Sequence, residues 1–182
     1  MKDVDRLFAA AEKVLRTVGI AAGQHCLDFG CGHGNYTIPL ARMVGPEGRV
    51  YALDKDKSAL DKLFERACAA GLSNIERINS SNLKIALDDS SVGVILLYDV
   101  IHSHYFTAKQ RGLLFQEIGR ITEPEALLSI FPHHMENDEI AREVVERARE
   151  IGFQTIGEYT GPVVHDDGIS AGQVITFRKS VR

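Results

Sequence analysis

The sequence predicts an α/β fold, a mostly parallel sheet covered by helices on both faces and closed by an antiparallel pair of strands. Three observations carry this. Short apolar runs alternate with amphipathic stretches along nearly the whole chain, the signature of repeated strand–helix units. The breaks between them are short, with no internal repeat, low-complexity tract or long linker. The last two strand-like runs have no helical pattern between them, so they are expected to pair antiparallel.

Taken in order, residues 4–19 place Val4, Leu7, Phe8, Ala11, Val14, Leu15 and Val18 on one helical face, and Gly19 closes the helix. QHCLDF is the first buried strand, followed by a helix over NYTIPLARMVG that stops at Gly45-Pro46. RVYALD is the second strand, Lys57 to Ala70 a helix ending at Gly71, and NIERINS a short third strand. SVGVILLYD, the most apolar run, suits the centre of a parallel sheet, where both faces are buried. Residues 107–121 form a helix with Leu113, Leu114, Ile118 and Ile121 inward, and ALLSIF is the fifth strand. Asp138 to Ile151 is a helix stopped by Gly152, and QTIGEYTG and QVITFRK complete the seven strands. In such sheets ligands lie at the carboxyl ends of the strands, where the winding reverses, so function is sought in the loops after the first, second, fourth and fifth strands.

Composition narrows the classes. A chain of 182 residues, 45% of them hydrophobic, is enough for one core, and a net charge of -4 argues against a broad nucleic-acid surface. MKDVDRLFAAAEKVLRTVGI carries charges throughout and lacks the apolar run of a signal peptide, and VGVILLY, the longest apolar run, is far too short to span a membrane. Cys26, Cys31 and Cys68 are odd in number, which suits reduced thiols in a cytoplasmic protein. Cys26 and Cys31 are too far apart for a CxxC pair, and no metal is expected.

The most informative segment is CLDFGCGHGNYT, where Gly30, Gly32 and Gly34 follow Asp28 at the end of the first strand. Glycines allow a sharp turn and a close backbone approach by a ligand. A dinucleotide fingerprint needs GxGxxG, but the third glycine's position is Asn35, and Asp28 would stand near a pyrophosphate. An acid there suits a ligand with a positive end, such as the ammonium and sulfonium of S-adenosylmethionine. Asp54, about twenty residues after Gly34, ends the second strand, where a carboxylate accepts from ribose hydroxyls.

With these residues the chain resembles the class I S-adenosylmethionine-dependent methyltransferases, from Gln24 to the last strand. DFGCGHG matches their acidic glycine motif and ALDKD their second-strand acid. The resemblance implies a Rossmann-like three-layer sandwich, mostly parallel and seven-stranded with an antiparallel last strand. It implies one domain over 1–182, residues 1–19 being a helix that covers the core and 20–182 the cofactor-binding fold. The cofactor is expected to be S-adenosyl-L-methionine, held by Asp28, Gly30, Cys31, Gly32, Gly34, Asp54, Lys55, Asn82, Leu83 and Tyr98. SSNLKIALDD resembles the segment that contacts adenine, and VILLYDVIHSHY the fourth-strand motif that sets Tyr98 and Asp99 beside cofactor and substrate. REIGFQTI resembles the helix, glycine and strand that precede the terminal hairpin. Two departures are Gly93, where an aspartate is usual, and Glu123-Pro124-Glu125 in place of a Pro-Gly-Gly turn.

Plainer roles compete at several positions: helix capping for Asp28, a turn for Asn82, a solvated turn for Asp88-Asp89, packing rather than nucleophilic attack for Cys31. The fold is expected to gather His102, His104, His133 and His134 on one rim beside Asp99, with His165 between the last two strands and His25 and His33 facing solvent or lying behind the site. Direct displacement at the methyl carbon needs orientation more than acid–base help, and Asp99 and His102 are the candidates where the acceptor carries a proton. His133 is the candidate for touching substrate. No Asn/Asp-Pro-Pro-Tyr/Phe follows the fourth strand, and no inserted lid is evident, so a small molecule is the first choice of acceptor and a protein or RNA the second. An open pocket would leave room for a partner copy in a homodimer. The rivals are a non-catalytic cofactor-binding or scaffolding protein and a nicotinamide-dependent oxidoreductase.

Overall fold

The computed structural model describes residues 2–132 and 138–181. Twelve elements follow one another: α1 Lys2–Val18, β1 His25–Phe29, α2 Thr37–Val44, β2 Arg49–Asp54, α3 Lys57–Ala69 and β3 Ile75–Asn79, then β4 Val92–Tyr98, α4 Ala108–Ile121, β5 Thr122–Phe131, α5 Asp138–Glu150, β6 Phe153–His165 and β7 Gly168–Lys179. One sheet holds all seven strands in the order β3-β2-β1-β4-β5-β7-β6, and β7 alone runs opposite to the other six. The winding reverses between β1 and β4, so the loops leaving these two strands open a crevice at the carboxyl edge of the sheet.

Each sheet face has its own apolar cluster. On one, Leu7, Ala11, Val14, Leu15 and Val18 of α1 join Leu40 and Val44 of α2 and Val163, Val164 and Val174 of the terminal ribbon. On the other, α4 and α5 supply Leu114, Phe115, Ile118, Val144 and Ala148 against Ile95, Leu97, Leu128 and Phe177. Among the described residues no helix is long and apolar enough to cross a membrane.

Three local expectations change. Leu113 is 43% exposed, because the buried face of α4 runs through Arg111, Leu114 and Ile118 instead. Arg111 is tolerated there because its guanidinium donates to Glu143 and to the Phe106 carbonyl. Glu123-Pro124-Glu125 is a bulge rather than a turn: pairing jumps from Val92↔Thr122 to Val94↔Leu127, with Glu125 at φ 62. The closing strands are much longer than QTIGEYTG and QVITFRK, since pairing continues through Val164↔Ile169 to His165↔Gly168. Asp166 at φ 49, with Asp167, makes the two-residue turn.

Candidate functional site

A cavity of about 900 Å³ opens at the reversal point, lined from the loops after β1, β2, β3 and β4 and from the β6–β7 tip. Of the residues singled out in the sequence, Gly30, Cys31, Gly32, Asp54, Lys55, Asn82, Leu83, Tyr98, Asp99 and His102 line it. Asp28 and Gly34 do not.

The glycine loop is pinned to β2 by its backbone. The Gly30 and Cys31 amides donate to the Leu53 carbonyl at 2.8 and 3.1 Å, and the Gly32 amide donates to Asp54 Oδ2 at 2.8 Å. Asp54 Oδ1 accepts from the Asp56 amide at 2.8 Å. Each carboxylate oxygen therefore keeps a further lone pair for a ligand hydroxyl. A Cβ on Gly32 would meet nothing within 4 Å, so it would project into open cavity space. Gly34 has another reason to be glycine: at φ +83, an added Cβ would stand 2.7 Å from Leu63 Cγ. It seats the loop on α3.

Asp28 lies behind this loop, 3% exposed, with Oδ2 accepting from Thr37 Oγ1 at 2.6 Å. Burial pushes its carboxyl up to about 6, the Thr37 hydroxyl opposing and Asp54 adding to the rise. It is still mainly ionised at neutral pH, so a negative charge backs the loop without touching the cavity. Burial also pushes the Cys31 thiol far up, with Asp28 adding to it, which leaves a packing group and no thiolate nucleophile.

On the rim, Lys55 Nζ stands 4.5 Å over the Tyr105 ring, bridging the loops after β2 and β4. Asn82 is exposed, its amide on Ser80 Oγ, and the neighbouring Leu83 is partly buried. Tyr98 is buried with its hydroxyl on Ser129 Oγ and its ring edge-on to Tyr36. His102 is 7% exposed, its ring tilted against Tyr105 at 4.4 Å and edge-on to His104. Asp99 follows β4 at φ 52.

The expected histidine cluster resolves differently. His133 and His134 lie outside the described residues, and it is His165 that meets Asp99, with Nε2 2.8 Å from Oδ2. Tyr36 was missed as well: its hydroxyl accepts from the Val164 amide at 2.9 Å, and Asn35 Nδ2 donates to the Asp166 carbonyl at 2.6 Å. Asp-Asp-Gly at 166–168 was the available signal, since that composition favours a tight hairpin. It would have carried His165 to the tip of a ribbon, though not onto Asp99. His33 lines the cavity, and exposed His25 sits edge-on to Tyr51.

Comparison with known proteins agrees with this geometry. A family model described as "Methyltransferase domain" matches residues 26–125. A demethylmenaquinone methyltransferase of Geobacillus stearothermophilus is 30% identical over 113 residues, 61% of this chain and 46% of that protein. A 2-phytyl-1,4-naphtoquinone methyltransferase of Trichormus variabilis is 28% identical over 129 residues, 70% of this chain and 55% of that one. The chain thus spans about half the length of these curated relatives. The crystal structure of a SAM dependent methyltransferase from Aquifex aeolicus matches with a TM-score of 0.71 at 24% identity, covering 93% of this chain and 89% of that one. A likeness at that identity speaks for the fold.

Proposed function

Because the chain belongs to the methyltransferase domain family, we propose that it acts as one domain that binds S-adenosylmethionine and transfers its methyl group to a small molecule. The observation that carries this reading is the open space over Gly32, between the Asp54 carboxylate and a loop backed by the buried charge of Asp28. A ribose fits against Asp54, and the cationic end of the cofactor is drawn towards the negative charge behind the loop. A diphosphate would be repelled by it. Cys31, Lys55, Asn82, Leu83 and Tyr98 are assigned to the cofactor as cavity neighbours, and Gly34 acts by seating the loop on α3.

The sulfonium is already a good leaving group, so the protein's part is to align acceptor and methyl carbon and to exclude water. Asp99 and His102 are the candidates to take an acceptor's proton; Asp99 is the better base, because the His102 ring packs against Tyr105 and His104. The quinone-directed names of the two relatives support a small acceptor. The three free thiols suit a reducing, cytoplasmic setting.

Isothermal titration with S-adenosylhomocysteine tests the reading. The parent protein binds; Gly32→Val fills the ligand's space, and Asp54→Ala removes a charged acceptor worth about 1.5–3 kcal/mol, or roughly tenfold to hundredfold in Kd. Parent-like binding by both variants would refute the site. A rise in melting temperature with NAD but not with S-adenosylhomocysteine would refute the cofactor.

A further inference from the structure

The terminal ribbon reaches beyond the sheet and ends against the cavity. Two of its ties to the core are structural, the Val164 amide on Tyr36 and the Asp166 carbonyl on Asn35. The third is different, because it joins two ionisable side chains at the cavity wall, His165 Nε2 lying 2.8 Å from Asp99 Oδ2. We propose that His165 is a positioning residue for Asp99, and that Asp99 is the base for an acceptor that is an aromatic hydroxyl. The proposal rests on the methyltransferase reading.

Asp99 is held in an unusual state. Its backbone takes φ 52, rare outside glycine, and its amide is fixed on the Phe131 carbonyl at 3.0 Å. One carboxylate oxygen is engaged by the imidazole. The other, Oδ1, is buried and has no hydrogen-bond partner among the described residues. Oδ1 is sealed, so an acceptor O–H meets the carboxylate through the rest of the side chain, which is 22% exposed at the cavity wall.

The acceptor's class follows from the neighbouring walls and from proton accounting. Tyr98, His102, Tyr105 and Phe106 present rings along the cavity beside Asp99, which suits a flat apolar body. A phenol keeps its proton at neutral pH, whereas a neutral amine or a thiolate can attack without a base. In the step, an oxygen lone pair forms the O–CH3 bond as the C–S bond breaks, and that bond's electron pair stays on sulfur, giving S-adenosylhomocysteine. The phenolic proton, increasingly acidic as the oxygen bonds carbon, passes to the Asp99 carboxylate and then to water. The other imidazole nitrogen stands 3.7 Å from Asp166 Oδ2, so the same three residues could instead gather around a divalent cation. The experiment separates the two.

Transfer of labelled methyl from S-adenosylmethionine is followed at a mildly alkaline pH with 1-naphthol, which keeps its proton there, and with 4-nitrophenolate, which has already lost it. The wild type methylates 1-naphthol. Asp99→Asn lowers kcat on 1-naphthol on the order of a hundredfold, and on 4-nitrophenolate by far less. His165→Phe, which fills the space without donating, lowers 1-naphthol turnover about tenfold. His165→Gln, which keeps an N–H for Asp99, restores turnover to within about threefold of wild type. In all three variants the affinity for S-adenosylhomocysteine stays within about twofold, since the cofactor side is intact. Equal damage from His165→Gln and His165→Phe would make His165 itself the base, and equal losses on both phenols would make Asp99 structural; either overturns the proposal. So would turnover abolished by EDTA and restored by magnesium. A wild type that binds S-adenosylhomocysteine but methylates neither phenol sinks the acceptor class alone, and one that binds no S-adenosylhomocysteine sinks the methyltransferase reading.

Discussion

The two sides of the cavity are held by different kinds of contact. On the β1–β2 side the Gly30, Cys31 and Gly32 amides hang on the Leu53 carbonyl and the Asp54 carboxylate, all within two paired strands and the turns that leave them. On the β6–β7 side the closing contacts depend on side chains whose partners lie 128 and 131 residues away. A backbone cradle tolerates little change of shape, because any added atom meets packed structure or ligand space. A side-chain latch is lost one hydrogen bond at a time, at about 0.5–1.5 kcal/mol each. The comparison therefore predicts a rigid cofactor wall facing an adjustable acceptor wall.

The largest test of that difference is Gly34→Val. A β-branched residue at φ +83, with its Cβ 2.7 Å from fully buried Leu63, combines backbone strain with overpacking. Together these cost about 4 kcal/mol, read as a large drop in the urea midpoint. A loss below about 1 kcal/mol would mean the loop yields, and the rigid half of the comparison would fail.

The same contrast explains what could be read from the sequence. The glycine turn, Asp54 and the apolar β4 run are local patterns, and all stand where the periodicity and spacing put them. Asp28 was expected near the ligand's charge but lies behind the loop, where Thr37, the first residue of α2, donates to its carboxylate. The two ribbon strands were expected to end at Gly161 and to begin at Gln173, whereas pairing runs on through Gly161↔Gly172 and Pro162↔Ala171. Buried Val163 and Val164 extend the strand because α1 and α2 offer them an apolar cluster. That is a tertiary effect with no local signal. His165 on Asp99 is the extreme case: neither residue's surroundings in sequence name the other.

A medium effect probes the cofactor wall's charge. The folded-state pKa of Asp28, at about 6, lies above its ordinary value of 3.8. The folded protein therefore binds the proton more tightly than the unfolded chain. The stability this contributes is fully present below about pH 4 and is lost as pH rises through about 6. Asp28→Asn removes that dependence and raises stability at pH 7 by up to about 3 kcal/mol, while weakening S-adenosylhomocysteine binding. Urea melts from pH 4 to 8 on both proteins check the sign. A variant less stable than the parent at pH 7 would show that the Thr37 hydrogen bond outweighs burial.

The smallest effect belongs to the latch. Tyr36→Phe keeps the ring that packs edge-on to Tyr98 at 4.5 Å but removes the acceptor for the Val164 amide. Val164 is 3% exposed, so its N–H loses a partner where water does not easily replace it, at about 1 kcal/mol. Because Asp166 and His165 follow directly, their ties to Asn35 and Asp99 loosen with it. Amide exchange at Val164 and its ribbon partner Ile169 is expected to quicken roughly fivefold, with exchange at Gly30 and Gly32 unchanged and S-adenosylhomocysteine affinity within about threefold of the parent. If exchange at Gly32 quickens equally, the two walls open as one cooperative unit, and the division between cradle and latch does not exist.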